Sequence, residues 1–280
     1  MPESSGKTIM KKNLNLLIAL LFLGFSISSC SKDDDEQYVN PKTYVLVHGA
    51  WQAAYAWRSV QTTLERAGNK VIVVELPAHG TDQTPPQNVT LDAYRDKVTD
   101  IISKESGKVV LVGHSLGGMV ISAAAEKVPE KIEKLIYVAA FVPQNGQTVF
   151  DLAGMDQASM LTRSLIPSAD QLTFDLIKGN ITDIFLQDGT QEVKDLLLKN
   201  YRVEPAIPFT NKITLTGERF GKVAKYYIRT LKDQALTPTL QNSMIKAAGI
   251  ERVYQIDTGH SPFMTKPDSL AIILNSIASN

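Results

Sequence analysis

Residues Val109–Met119 read VVLVGHSLGGM. Val109–Val112 is a short apolar, β-branched run, the mark of a strand buried on both faces. Gly113-His114-Ser115-Leu116-Gly117 follows at once and fits Gly-x-Ser-x-Gly, a sharp strand-to-helix turn that lifts a serine hydroxyl above a parallel sheet. A serine held in a strained turn needs neighbours without bulk. The small-residue run Gly117–Ala125 predicts a helix packed close to the sheet, its N-terminus aimed at Ser115. The plainer alternative is a loop serine in an ordinary strand-to-helix turn.

Outward from the elbow, the chain alternates strand and helix. Thr43–Val47 reads as the first core strand, followed by the turn His48-Gly49-Ala50-Trp51. Ala56–Ala67 reads as a helix with Trp57, Val60 and Leu64 on one face and Gly68 as its stop. Lys70–Glu75 is a strand, Leu76–Asn88 a loop, and Thr90–Ser103 a helix leading into the elbow strand. After Pro129 comes the strand Lys134–Ala139. The order β-α-β-α-β-α-β implies a parallel sheet with helices on both faces. From about Gln144 to Gly221 the rhythm breaks into amphipathic helical pieces and loops, read as a helical cap over the strand ends. Ser168-Ala169-Asp170-Gln171 fits a capping box, and Thr190 is placed to cap Gln191–Asn200. The rhythm resumes with the strand Lys225–Thr230, a helix with Thr237 as N-cap and Pro238 as first residue, the strand Ile250–Ile256 and the helix Pro267–Ala278. The expectation is an α/β fold with a mostly parallel sheet of about six strands.

The 29 Lys and Arg balance the 29 Asp and Glu and form no basic stripe, so nothing points to nucleic acid. No Cys/His cluster has metal-ligand spacing, and no cofactor is expected. Residues 1–29 read as a signal peptide: Lys11-Lys12 precede the apolar run Leu14–Phe25, then small residues ending at Cys30, the one cysteine. That run is too short to span a bilayer comfortably. Ile27-Ser28-Ser29-Cys30 resembles a bacterial lipobox, in which the cysteine becomes the lipidated first residue, and Met10 is the more natural start. Residues 30–41, with the acidic Ser31–Glu36, read as a tether, and residues 42–280 as the folded domain with its cap at about 144–221. An exported, membrane-anchored lipoprotein is the expectation, with Cys30 as the lipidation site.

A serine hydroxyl near its ordinary pKa is a poor nucleophile; it needs a base, and the base an orienting acid. With a nucleophile elbow the chain order is serine, acid, histidine. Of four histidines, His48 and His79 precede the serine and His114 lies inside the elbow, its side chain expected to face elsewhere. His260, just after the last strand, is the expected base. Asp233, in the loop after the penultimate strand, is the expected acid; Asp257 is its rival, close to His260 along the chain. Acyl transfer also needs donors where an oxyanion forms, and the N–H groups of Ala50 and Leu116 are the candidates. Trp51 and Phe141, which follow strand ends, are candidate substrate contacts.

Together these residues resemble the α/β-hydrolase superfamily, and within it the plant methylesterase and hydroxynitrile lyase group with its bacterial esterase relatives. The likeness covers Thr43 to Ser279. It rests on VLVHGAW (Val45–Trp51), VELPAHG (Val74–Gly80), the elbow, Glu126–Pro143, and Glu218–Leu236 joined to GHSPFMTKP (Gly259–Pro267). The resemblance puts Ser115, Asp233 and His260 on triad positions and Ala50 and Leu116 on oxyanion positions. The lyase branch places a threonine near the nucleophile and a lysine directly after the histidine; Gly49 and Ser261 stand there instead. Gly49 leaves room for an ester carbonyl. The resulting expectation is a serine carboxylesterase for a small to medium, partly apolar ester, with an apolar cap wall including Phe150, Leu152, Met155 and Phe174. A catalytically silent ligand-binding lipoprotein and an interfacial lipase are the rival readings.

Overall fold

The structure, a computed structural model, describes residues 41–280. The expected signal peptide, Cys30 and nearly all of the acidic tether lie outside those residues. Six strands form one parallel sheet: β1 (Thr43–Val47), β2 (Lys70–Val74), β3 (Val109–His114), β4 (Ile132–Val138), β8 (Ala224–Thr230) and β9 (Arg252–Ile256). Their order is β2-β1-β3-β4-β8-β9, and every neighbouring pair is parallel. Side chains alternate between the two faces, so the central β3, covered on both, is apolar over Val109–Val112, whereas the edge strand β9 carries Arg252 and Gln255. Val45, Val47, Leu111, Leu135 and Tyr137 face one layer, shared with the helices Leu91–Ser103, Gly117–Lys127 and Pro238–Ala247. Tyr44, Leu46, Val110, Val112, Ile136 and Val138 face the other, against Arg58–Arg66 and Pro267–Ser279.

The chain winds from β1 outward to β2, then crosses back to β3 and runs the other way. In open parallel sheets the crevice at such a reversal, beyond the carboxyl ends of the strands, is where ligands bind. Ser115 follows β3 and His48 follows β1, so both sit at that crevice. The helix after the serine lies tight on the neighbouring chain. A Cβ on Gly118 would come within 2.1 Å of the Phe141 carbonyl oxygen, which only glycine avoids.

The cap lies between β4 and β8. It holds short helices, among them Val149–Ala153, Met160–Ser164, Ile181–Leu186 and Ile207–Thr210, with the longer Gln191–Asn200. It also holds a three-stranded antiparallel sheet that the helical reading omitted: β5 (Leu165–Pro167), β6 (Thr173–Leu176) and β7 (Glu204–Pro205), in the order β5-β6-β7. Strands of two to four residues carry too little alternation to be read from sequence. Ser168–Gln171 is the turn of the β5–β6 hairpin, not a helix start. The Ser168 hydroxyl bonds Asp170, and Gln171 takes a left-handed φ of 59°. Thr190 precedes its helix without a side-chain cap, whereas Thr237 caps Pro238–Ala247 through the Leu240 N–H.

Candidate active site

Ser115 occupies the turn between β3 and the helix Gly117–Lys127, at a φ of 52°. A left-handed serine is uncommon and holds only where the surroundings over-determine it. Here its N–H donates to Val138 O (3.4 Å), and its carbonyl accepts from Gly118 N (3.0 Å) and Phe141 N (3.1 Å). Gly49 approaches it from the turn after β1: a Cβ there would stand 2.6 Å from Ser115 Cβ and 2.8 Å from His114 Nδ1. The helix N-terminus adds a positive field at the hydroxyl.

His260 and Asp233 meet as expected. His260 Nδ1 donates to Asp233 Oδ2 at 2.8 Å, with both side chains fully buried. Asp233 is held on all sides. Its Oδ1 accepts from the N–H groups of Ala235 (2.8 Å) and Leu236 (2.9 Å); its Oδ2 accepts also from Thr230 Oγ1 (2.8 Å) and Gln241 Nε2 (3.2 Å). These donors, with the His260 ring, occupy both oxygens of the carboxylate and fix its orientation. With Nδ1 donating, the other ring nitrogen of neutral His260 is a bare acceptor. That nitrogen is buried and has no partner among the described residues. Asp257 is elsewhere: it is more than half exposed and pairs with Lys232 at 2.8 Å.

His114 departs from the expectation that it faces away. Its ring packs on the His260 ring with centroids 4.5 Å apart, and its Nε2 donates to His260 O at 2.8 Å. The residue beside the serine thus holds the backbone of the histidine, tying Ser115 and His260 together. Burial, with His260 alongside, holds His114 well below the ordinary histidine range.

The His48–Trp51 turn completes one wall. His48 Nδ1 donates to Gly49 O (2.9 Å) and Nε2 accepts from Leu76 N (3.2 Å), which fixes a neutral tautomer. Burial and the nearby His79 keep it well below the ordinary value. Among the described residues, neither the Ala50 N–H nor the Leu116 N–H donates to a protein oxygen, and both residues border the same cavity as Ser115. That cavity is about 120 Å³ and is walled by Trp51 and Phe141 from the core and by Phe150, Leu161, Leu165 and Phe209 from the cap. Apart from Ser115, Thr162 brings the one polar side chain. Trp51 and Phe141, the candidate substrate contacts, thus both line the cavity that Ser115 borders. Gly49 does not line the cavity; it lies under Ser115 as a spacer. Of the four expected cap residues only Phe150 reaches it. Leu152 is cap core, Met155 is 55% exposed, and Phe174 packs edge-to-face behind Phe150 and Phe209. Leu161, Leu165 and Phe209 were not foreseen, because short cap helices do not reveal which side faces inward.

A second buried cluster was also not foreseen. Glu204 in β7 is 0% exposed. Its Oε2 accepts from His79 Nε2 and from Trp51 N, both at 2.8 Å, and its Oε1 from Tyr94 Oη at 3.3 Å. His79 Nδ1 faces Pro77 O at 2.9 Å. Both ring nitrogens thus face acceptors, which only the charged imidazolium satisfies as a double donor. Burial pushes the His79 ring down, but the charge and hydrogen bond of Glu204, with the Pro77 carbonyl, outweigh it and hold the ring above its ordinary value.

A sequence profile of the alpha/beta hydrolase family matches residues 44–271. The chain belongs to that family. Relatives within it include the chloroplastic protein assigned as methylesterase 14 of Arabidopsis thaliana, 33% identical over 250 residues, covering 85% of this chain and 72% of the relative. Methylesterase 7 of the same plant and salicylic acid-binding protein 2 of Nicotiana tabacum are each 30% identical, covering 85% of this chain and 97% of theirs. The solved structure of polyneuridine aldehyde esterase superposes with a TM-score of 0.77 at 24% identity, over 85% of this chain and 99% of that one. The alpha/beta hydrolase fold and the esterase relatives make this chain an enzyme of the carboxylesterase type.

Proposed function

We propose that the chain hydrolyses a small to medium, partly apolar carboxylic ester through a Ser-His-Asp acyl-enzyme mechanism. His260 Nε2 takes the Ser115 proton as Oγ attacks the ester carbonyl. Asp233 holds the ring in the tautomer that leaves Nε2 free and stabilises the imidazolium that forms. The developing oxyanion takes hydrogen bonds from the N–H groups of Ala50 and Leu116. His260 then gives the proton to the leaving alcohol. Water, deprotonated by the same nitrogen, releases the acid and restores the serine.

The observation that carries this reading is the fully buried Asp233–His260 bond of 2.8 Å, which leaves Nε2 without a partner, on a ring packed against His114, the chain neighbour of the left-handed Ser115. A ligand-binding module has no use for an oriented, unpartnered histidine nitrogen. The lyase reading is disfavoured by the same surroundings: Ser261, not a lysine, follows His260, and its hydroxyl accepts from Gln52 Nε2 at 2.9 Å. The substrate class follows from the cavity. A space near 120 Å³ with apolar walls is somewhat smaller than the roughly 150 Å³ that encloses benzene. It suits one apolar group of about four to six heavy atoms on the ester. The test is turnover of an ester panel. Short-chain and small aromatic esters are expected to be cleaved, with Ser115→Ala and His260→Ala inactive. A preference for emulsified long chains would contradict the cavity argument, and turnover surviving in either variant would contradict the mechanism.

Export as a lipoprotein anchored through Cys30 is proposed separately, on the lipobox-like Ile27–Cys30 and its preceding apolar run. Metabolic labelling with a clickable fatty acid is expected to mark the wild type and not Cys30→Ala; equal signal in both would reject it.

A further inference from the structure

The mechanism above makes no use of Glu204, yet a fully buried carboxylate is costly to keep. Its contacts cross from the cap to the core at one place. Trp51 sits one residue beyond Ala50 and has a φ of 56°, a left-handed conformation that a bulky residue adopts only under constraint. Both ends of Trp51 are held by the cap sheet. The backbone N–H donates to Glu204 Oε2 at 2.8 Å, and the indole Nε1 donates to Phe174 O at 3.1 Å. Phe174 and Glu204 are themselves paired across β6 and β7. From the core side, His79 and Tyr94 fix the carboxylate. The groups facing the pair are His48, whose ring lies 4.8 Å from that of His79, Tyr94, and Arg202, whose guanidinium is bound to the carbonyls of Gly80 and Asp82.

We propose that Glu204 is a positioning residue for catalysis: with His79 behind it, it anchors the Trp51 N–H, holds the left-handed turn, and so keeps the preceding Ala50 N–H aimed at the oxyanion. This rests on the ester-hydrolase reading of Ser115 and on Ala50 as an oxyanion donor. A hydrolytic turn that would otherwise relax is locked by a residue that only the docked cap supplies. Seating of the cap and assembly of the oxyanion site are therefore one event. The sequence separation, 153 positions between Trp51 and Glu204, is why no local pattern announced it.

The test compares wild type with Glu204→Ala, Glu204→Gln and the double variant Glu204→Met/His79→Leu, using a p-nitrophenyl ester of a short acid. Each enzyme is titrated with a fluorophosphonate so that rates refer to competent sites. Removing an oxyanion donor outright costs about 10²–10³-fold in kcat; loosening one is expected to cost about 10–100-fold. Glu204→Ala should lose that in kcat with KM within about twofold, and its affinity for a tetrahedral boronate should fall by the same factor as kcat/KM. Glu204→Gln should recover most of kcat. Its amide oxygen, placed where Oε2 stands, still accepts from Trp51 N–H and His79 Nε2–H, and its NH₂ faces the Tyr94 hydroxyl oxygen, which can accept. The double variant removes the ion pair whole instead of stranding a charge, so it retains a packed fold, and it should show the same kcat loss as Glu204→Ala. Unchanged kcat in the double variant would overturn the proposal, as would a loss confined to KM or to thermal stability. A wild type that turns over no ester and takes no probe at Ser115 would instead overturn the hydrolase reading, and the positioning role with it.

Discussion

At the scale of single residues, the four histidines divide by what faces their nitrogens. His48 and His114 each donate to one carbonyl and stay neutral; His79 faces two acceptors and is charged; His260 donates to Asp233 and leaves Nε2 bare. Asp233→Asn tests the last assignment. The amide oxygen would stay with the Ala235 and Leu236 N–H groups, turning the NH₂ toward His260 Nδ1. The ring would then shift its proton to Nε2, the wrong nitrogen for a base. A fall in kcat of about 10³–10⁴-fold is expected, with little change in KM, by steady-state kinetics on the same ester. Gly49→Ala tests the spacer. Its Cβ would stand 2.6 Å from Ser115 Cβ, which is backbone-fixed and cannot yield. A loss of roughly 1–3 kcal/mol in unfolding free energy, with reduced kcat, should appear in denaturant titration and kinetics. The strand-end positions of Ser115, Asp233 and His260 were legible in the sequence because each follows a sheet strand marked by its apolar residues. The packing of His114 on His260 could not, since it depends on a loop 146 positions away.

At the scale of elements, the core strands were legible to within one or two residues because both faces of a parallel sheet are apolar. The cap was not, for the converse reason. Its strands and most of its helices are too short to show a period, and its register comes from contacts with the core. The hairpin turn at Ser168–Gln171 carries the residues of a helix cap, and only the tertiary partner, Thr173, decides between them. The cap helix Met160–Ser164 presents Leu161 to the cavity, 8% exposed. Leu161→Ala is expected to enlarge the space by roughly three methyl-sized groups and shift preference toward a longer or bulkier ester, measured as the ratio of kcat/KM between a butyrate and an octanoate. It should also destabilise the fold by about 2–5 kcal/mol. An unchanged ratio would remove Leu161 from the pocket wall.

For the whole molecule, the buried histidines set opposite pH trends. His48 and His114 have folded values below the unfolded one near 6.5, so the unfolded chain binds more protons at mild acid and stability falls as pH drops below about 6.5. His79 has its folded value raised, so its contribution is complete below about 6.5 and is lost as pH rises through the raised value. The difference in melting temperature between wild type and His79→Leu should therefore be largest near pH 6 and shrink as pH rises past neutrality; a difference that grows with pH would assign His79 the wrong charge. The cap and core are thus joined by a charged contact at the same point where the turn beside the serine is held.

Ester hydrolysis by this chain requires that Ser115 be a nucleophile activated by His260. The most direct measurement treats the domain from about residue 31 onward with a fluorophosphonate and maps the adduct by mass spectrometry, in wild type, Ser115→Ala and His260→Ala. A single adduct on Ser115 is expected, absent from Ser115→Ala and slowed by at least about 10³-fold in His260→Ala. A well-folded wild type that takes no label, or labels elsewhere, would contradict it.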